Sequence, residues 1–143
     1  MRYMLDTNIF NRILDGKFAL SALPTGSSFV ATEVQIEELK CTSNQVRRTK
    51  LLEVFEEIAP DIVPASFSLD IAGAGLDQGA LSNGDDAQRL RTALEALKPK
   101  LNNWHDSLIA EAAFIRGYGL ITADRNLATI AKEHGLTVCH VTT

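Results

Sequence analysis

Two aspartates lie where the sequence predicts the ends of buried strands. Asp6 directly follows the apolar run Tyr3–Leu5, and Asp124 lies two residues beyond a second run, 120–122. In an open parallel α/β sheet, ligands bind outside the carboxyl ends of the strands, at the point where the strand order reverses. We therefore expect both carboxylates at the same edge of one sheet.

Two further acids, Asp106 and Glu38, are expected near the same edge. Asp106 begins the segment 106–118, which is apolar on nearly every side and is predicted to be a central, buried helix. Glu38 lies in the helix predicted to follow the second strand, within the letters QIEEL. Converging carboxylates repel one another unless a cation neutralises them. Because every donor is an oxygen, the expected ion is Mg²⁺ or Mn²⁺.

Each of these acids also has an ordinary structural interpretation when taken singly. Asp is a favoured helix N-cap, and Asp6, Asp106 and Asp124 each precede a predicted helix. Glu38 is typical of a solvated helix surface, and its neighbours Glu33 and Glu37 could take its place. Taken together, the four acids favour a shared site. Helix caps need not lie at a common edge of a sheet, whereas these acids all border the inner strands.

Strands alternate with helices along the chain, which predicts one domain, residues 1–143, with a parallel sheet and helices on both faces. The predicted strands are Tyr3–Leu5, Ser28–Ala31, Asp61–Val63, Leu120–Thr122 and Thr137–Val141. The predicted helices are Thr7–Leu14, a helix capped by Thr32 that runs to Lys40, one that Asn44 opens and Pro60 stops, Ser68–Leu76, Asp85–Leu97, Asp106–Tyr118 and a short one after Asp124. Gly79, Asn83 and Gly84 are expected to break the chain before Asp85.

Composition indicates an ordinary globular protein in a reducing compartment. The net charge of -4 argues against a general nucleic-acid coat, but not against a nuclease whose acids are gathered in one pocket. The two cysteines and three histidines lack zinc-site spacing, and His105 is the one histidine beside a candidate acid. No apolar stretch is long enough to span a bilayer, and the start is too short and polar for a signal peptide. We expect a cytoplasmic protein.

The letters MLDTNIF, QIEEL, HDSLIAEAA and LITADRNL, in that order, resemble the motifs of PIN-domain ribonucleases and, more narrowly, of VapC-type toxins of type II toxin–antitoxin systems. The resemblance covers nearly the whole chain. It implies a three-layer α/β/α sandwich with a five-stranded parallel sheet. It also implies an endoribonuclease that depends on Mg²⁺ or Mn²⁺.

The family's site residues carry over by position. The resemblance makes Asp6, Glu38, Asp106 and Asp124 the catalytic acids, with the three aspartates as metal ligands. The polar residues that would support them are Thr7, Asn8, Thr122 and Asn126. Asn126 stands where many relatives carry another acid, which weakens a second metal site. The segment 79–103 is longer than the usual connection.

An RNA substrate would have to bind through local positive charge, because the net charge of the chain is negative. Arg12 and Arg125 lie near the expected site and could contact RNA phosphates. The sequence also offers basic groups, although a solvated helix face explains them equally well: Arg47, Arg48 and Lys50, or Arg89, Arg91, Lys98 and Lys100. Phe10 and Trp104 could stack on a base, although packing is the commoner role. A toxin would form a homodimer and would be blocked by a cognate antitoxin protein, for which the helices of residues 32–59 offer a docking surface.

Three other functions remain open on the sequence. The chain could be a PIN nuclease of RNA maturation, or a non-catalytic PIN-like module that binds RNA or protein. A different metal-dependent phosphoryl-transfer enzyme, such as a haloacid-type phosphatase, would carry Asp-x-Asp after the first strand, where this chain has Asp6-Thr7-Asn8.

Overall fold

Five parallel strands form one sheet. The computed structural model describes residues 1–63, 78–101 and 105–141. The strands are β1 (Arg2–Leu5), β2 (Ser28–Thr32), β3 (Asp61–Val63), β4 (Gly119–Thr122) and β5 (Val138–His140). Their order across the sheet is β3–β2–β1–β4–β5, and every neighbouring pair is parallel. The five-stranded parallel sheet expected from the sequence is confirmed.

Six α-helices within the described ranges connect or flank these strands. They are α1 (Thr7–Leu14), α2 (Glu33–Lys40), α3 (Gln45–Ile58), α4 (Gln78–Leu97), α5 (His105–Arg116) and α6 (Arg125–Glu133). Side-chain oxygens accept a hydrogen bond from the first turn of four of them, with Asp6, Thr32, Asn44 and Asp124 as the caps. These bonds satisfy amide groups that have no partner inside the helix. The predicted caps Thr32 and Asn44 are confirmed.

Successive residues of each inner strand face opposite helix layers, as the two-residue period of a strand requires. In β1, Met4 packs with α4, α5 and α6, whereas Leu5 packs with α1, α2 and α3. Leu120 and Ile121 of β4 divide in the same way. The molecule is therefore a three-layer α/β/α sandwich, with an apolar core on each side of the sheet.

The strand order reverses between β1 and β4. From β1 the chain moves outward to β2 and β3, and it then returns to build β4 and β5 on the other side of β1. The carboxyl ends of β1 and β4 thus form the switch point of a doubly wound sheet, where ligands bind in this class of fold.

One sequence prediction about the helices is wrong. Gly79, Asn83 and Gly84 do not break the chain, because α4 begins at Gln78 and runs through all three. Each glycine costs a helix about 1 kcal/mol, and the burial of Leu90 and Leu94 in the core outweighs such local preferences. The described part of the long segment, 79–101, is thus mostly α4, in the helix layer that packs on Met4 and Leu120. The helix predicted at 68–76 lies outside the described residues.

The end of α5 also differs from the prediction. This helix ends at Arg116 rather than at Tyr118, because Gly117 takes a left-handed conformation with φ of 74°. Gly119 is the first residue of β4, one residue earlier than the predicted strand start at Leu120. No helix within residues 1–63, 78–101 and 105–141 combines the length and the apolar character that crossing a membrane requires.

Gln35, a fully buried residue of α2, bridges the carboxyl ends of β1 and β2. The backbone pairing of these strands runs from Arg2 opposite Ser28 to Met4 opposite Val30. Continued by one step, it would join the Thr32 N–H to the Leu5 carbonyl. Instead, the Gln35 carboxamide stands between them.

Both bonds of the bridge are short. The Thr32 N–H donates to Gln35 Oε1 at 2.8 Å, and Gln35 Nε2 donates to the Leu5 carbonyl at 2.6 Å. The Gln35 amide also donates to Thr32 Oγ1 at 3.3 Å, which completes a capping box. The bridge ties α2 to the peptide that immediately precedes Asp6.

Replacing Gln35 by Leu should destabilise the protein by about 2–4 kcal/mol, because the buried Thr32 N–H and Leu5 carbonyl would both lose their partner. Urea denaturation followed by circular dichroism measures this. Gln88→Leu, on an exposed position of α4, is the matched control and should change stability by less than about 0.5 kcal/mol. Equal stability of the two variants would contradict the bridging role.

Candidate active site

Asp6 is held rigidly between the ends of β1 and β4. Its backbone N–H donates to the Ile121 carbonyl at 3.0 Å, and its Oδ1 accepts from the Ile9 N–H at 3.2 Å as the cap of α1. Its Oδ2 accepts a short hydrogen bond from the Thr122 hydroxyl and a longer one, 3.4 Å, from the Ala123 N–H. The side chain is fully buried, and this burial raises its pKa to about 6, although these bonds act in the opposite direction.

Asp124 is connected to Asp6 through one hydroxyl group. The Asp124 N–H donates to Thr122 Oγ1 at 3.0 Å, and the same hydroxyl donates to Asp6. Asp124 Oδ1 accepts from the Leu127 N–H at 3.1 Å, so this buried residue caps α6 as Asp6 caps α1. The cap interpretation is therefore correct for both residues, and it does not compete with a place in the site.

Asp106 has a different environment. It lies in the first turn of α5 rather than at a cap, and it is fully buried. Within the described part of the chain, neither carboxylate oxygen has a hydrogen-bond partner. Burial, together with the negative charges of Asp6, Glu38 and Asp124, raises its pKa to about 9. The backbone N–H of Thr7 acts in the opposite direction.

Glu38 completes the group from the α2 side. Its Oε1 accepts from the Thr7 hydroxyl at 3.3 Å, and its Oε2 lies 3.4 Å from His105 Nδ1. Glu33 and Glu37, the alternatives considered from the sequence, are exposed, and Glu37 pairs with Lys40 at 3.8 Å. Glu38 is thus the acid of its helix that faces the other carboxylates.

The four acids, which we call the carboxylate cluster (Asp6, Glu38, Asp106 and Asp124), offer the oxygen-only donor set that Mg²⁺ and Mn²⁺ prefer. The two buried oxygens of Asp106 fit such an ion best, because a cation would supply the partner that they lack. In residues 1–63, 78–101 and 105–141, however, no group of three or more His, Cys, Asp or Glu side chains is arranged so that it could hold a metal ion.

The predicted supporting residues divide into two groups. Thr7 and Thr122 are buried and bonded to members of the cluster, and Asn8 lies beside them at the start of α1. Asn126 and Arg125 are exposed on the first turn of α6. The role of Gln35 was not predicted from the sequence. The Thr-x-x-Gln spacing of a capping box signals that Gln35 helps to cap α2, but it does not signal the bond to Leu5.

Several candidate RNA contacts are wrong or already engaged. Phe10 is fully buried and packs on Phe55 with ring centroids 5.3 Å apart, so it cannot stack on a base. Trp104 lies outside the described residues. The predicted basic groups are largely used in ion pairs within the chain: Arg47 with Asp15, Arg89 with Asp86, Arg91 with Glu111 and Lys98 with Glu95.

Comparison with protein-family models gave no match, and comparison with curated proteins gave none. Among solved structures, the chain is similar to a domain of a functionally unknown protein from Methanocaldococcus jannaschii DSM 2661. The identity is 14%, the match covers 99% of this chain and 91% of the other, and the TM-score is 0.49. This likeness carries no information on function.

The raised pKa values predict that protein stripped of divalent ions by a chelator becomes less stable as the pH rises. Asp6 and Asp106 bind a proton more tightly in the folded than in the unfolded state, so their contribution is complete below the unfolded pKa of about 4. It is lost as the pH rises through about 6 for Asp6 and about 9 for Asp106. Thermal melts across this range measure the effect.

Asp106→Asn should flatten this pH dependence and raise the melting temperature at alkaline pH, because the amide carries no charge to bury. Asp86→Asn, at an exposed position, is the control and should melt as the wild type does at every pH. An Asp106→Asn profile as steep as that of the wild type would show that Asp106 does not carry the repulsion.

Proposed function

We propose that this chain is a Mg²⁺- or Mn²⁺-dependent endoribonuclease of the PIN type, and that it acts in the cytoplasm as the toxin of a toxin–antitoxin pair. The observation that carries the proposal is the environment of Asp106. A buried carboxyl with no hydrogen-bond partner in the described residues faces three other acids at the switch point of the sheet. This arrangement costs folding free energy, and such costs concentrate at functional sites.

Asp6, Asp106 and Asp124 would hold the cation, with Glu38 as a further ligand or as the group that orients the attacking water. When bound, a divalent ion makes a water molecule nucleophilic near neutral pH and stabilises charge on the phosphoryl oxygens. The Thr122 hydroxyl fixes the orientation of the Asp6 carboxylate and anchors the Asp124 backbone. Thr7 and His105 hold Glu38 on the opposite side.

Two further points support a nuclease over its rivals. All four acids that the PIN resemblance requires are present and electrostatically linked, which disfavours a non-catalytic module. A haloacid-type phosphatase would need a second aspartate at position 8, where this chain has Asn. The toxin role, the homodimer and the antitoxin rest on the resemblance alone, and an RNA-maturation nuclease remains the second candidate.

Purified protein should cleave single-stranded RNA when Mn²⁺ is added and should stop when a chelator removes it. Asp6→Asn, Asp106→Asn and Asp124→Asn should each lower the rate by at least about 100-fold, because each removes a charge that offsets that of the cation. Glu38→Gln should also be slow, whereas Glu37→Gln, one residue away and exposed, should cleave as the wild type does. Equal cleavage by the wild type and the three Asn variants would reject the mechanism.

Expression in a bacterial host separates the toxin from the maturation enzyme. The wild-type chain should arrest growth, and Asp106→Asn should not, since only the former cleaves RNA. Immunoblotting controls for equal protein levels. Wild-type protein that cleaves RNA in vitro but leaves growth unchanged would favour the maturation role.

A further inference from the structure

A polar pocket of about 260 Å³ lies along α1, next to the carboxylate cluster. It is lined by Asn8, Asn11, Arg12, Asp15 and Lys17. Because α1 begins directly after Asp6, the pocket starts within two residues of the cluster and extends along the helix away from it. Asn8 lines the pocket, and its backbone N–H lowers the pKa of the Asp6 carboxyl, so the pocket and the cluster share a wall at this residue.

The acid in this pocket is already neutralised. Arg47 of α3 binds Asp15 through both guanidinium ends, with Nη1 at 2.8 Å from Oδ1 and Nη2 at 3.1 Å from Oδ2. This two-point contact is the geometry in which an arginine and a carboxylate interact most strongly. Asp15 therefore opposes an incoming anion much less than an isolated aspartate would.

Arg47 also contacts Asn11, a residue that lines the pocket. Arg47 Nη2 donates to Asn11 Oδ1 at 2.8 Å, which assigns the oxygen of that carboxamide to Arg47. The NH₂ group of Asn11 is then the opposite end of the carboxamide. Arg47 thus occupies three acceptor oxygens, two of Asp15 and one of Asn11.

The local charge has the opposite sign to that of the whole chain. Arg12 and Lys17 line the pocket, and its one acid, Asp15, is paired with Arg47, whereas the whole chain carries a net charge of -4. A cationic pocket with amide donors suits a phosphate group. Its common wall with the carboxylate cluster suits a phosphate on the same strand as the bond that is cut.

We propose that this pocket binds a backbone phosphate of the RNA strand that flanks the scissile bond. The proposal rests on the proposed nuclease function and adds a substrate-binding site to it. Arg12, which the sequence already marked, is one part of the site; Lys17 and Asn11 are new, and Arg47 is a positioning residue that acts through Asp15 and Asn11.

The test is RNA binding measured apart from cleavage. Fluorescence anisotropy of a labelled single-stranded RNA, in Mg²⁺ buffer, compares Asp106→Asn with the double variants that add Arg12→Gln, Lys17→Gln or Lys132→Gln. Lys132 is an exposed lysine in the last turn of α6, in the helix layer on the other face of the sheet from α1, and serves as the matched control.

Adding Arg12→Gln or Lys17→Gln should weaken binding about fivefold at low salt and reduce the slope of log K against log salt by about 0.7. Adding Lys132→Gln should change neither. In the otherwise wild-type protein, Lys17→Gln should raise KM for RNA with little change in kcat.

Failure of this proposal and failure of the nuclease function give different results. If the Arg12 and Lys17 variants bind RNA as tightly as their parent, the pocket is not a phosphate site, whether or not the protein cleaves RNA. If these variants bind RNA more weakly but the wild type does not cleave RNA, the pocket is a phosphate site and the proposed catalytic role is wrong. Lys17 is exposed, so its variant gives a result even if Arg12→Gln does not fold.

Discussion

The burial of neighbouring carboxylates is the constraint around which this edge of the molecule is organised. Asp6 and Asp124 are each stabilised by backbone amides and joined through the Thr122 hydroxyl, whereas Asp106 receives no such bond from the described residues. Its charge is therefore the one that the fold leaves uncompensated. A sequence free to change would replace it by an apolar residue at a gain in stability, which supports a functional reason for its presence.

The fold brings these acids together with short-range devices. Asp6 directly follows β1 and Asp124 lies two residues beyond β4, the neighbouring strand, and each caps the helix that follows. Asp106 and Glu38 come from helices of opposite layers, α5 and α2, that both begin at this edge. The cluster therefore joins both layers of the sandwich to the centre of the sheet.

The features predicted best from the sequence are those that depend on local residue patterns. The strand ends at Asp6 and Thr122, the cap at Thr32 and the opening of α3 at Asn44 all follow from residue type and spacing. The start of α4 did not follow from residue type, because the burial of Leu90 and Leu94 in the core outweighs the low helix propensity of glycine. The contact of Arg47 with Asp15 and the bond of Gln35 to Leu5 join residues about 30 positions apart, and neither position shows a periodic signal.

The Gln35 bridge has a consequence for the geometry of the whole edge. At the carboxyl ends of β1 and β2, the gap between the strands is set by the length of one side chain and not by the backbone ladder. Asparagine is one methylene too short to span it, and glutamate cannot donate to the Leu5 carbonyl. Position 35 thus sets the distance between the end of β1, which Asp6 follows, and α2, which carries Glu38. A substitution at this position would change that distance without altering a strand.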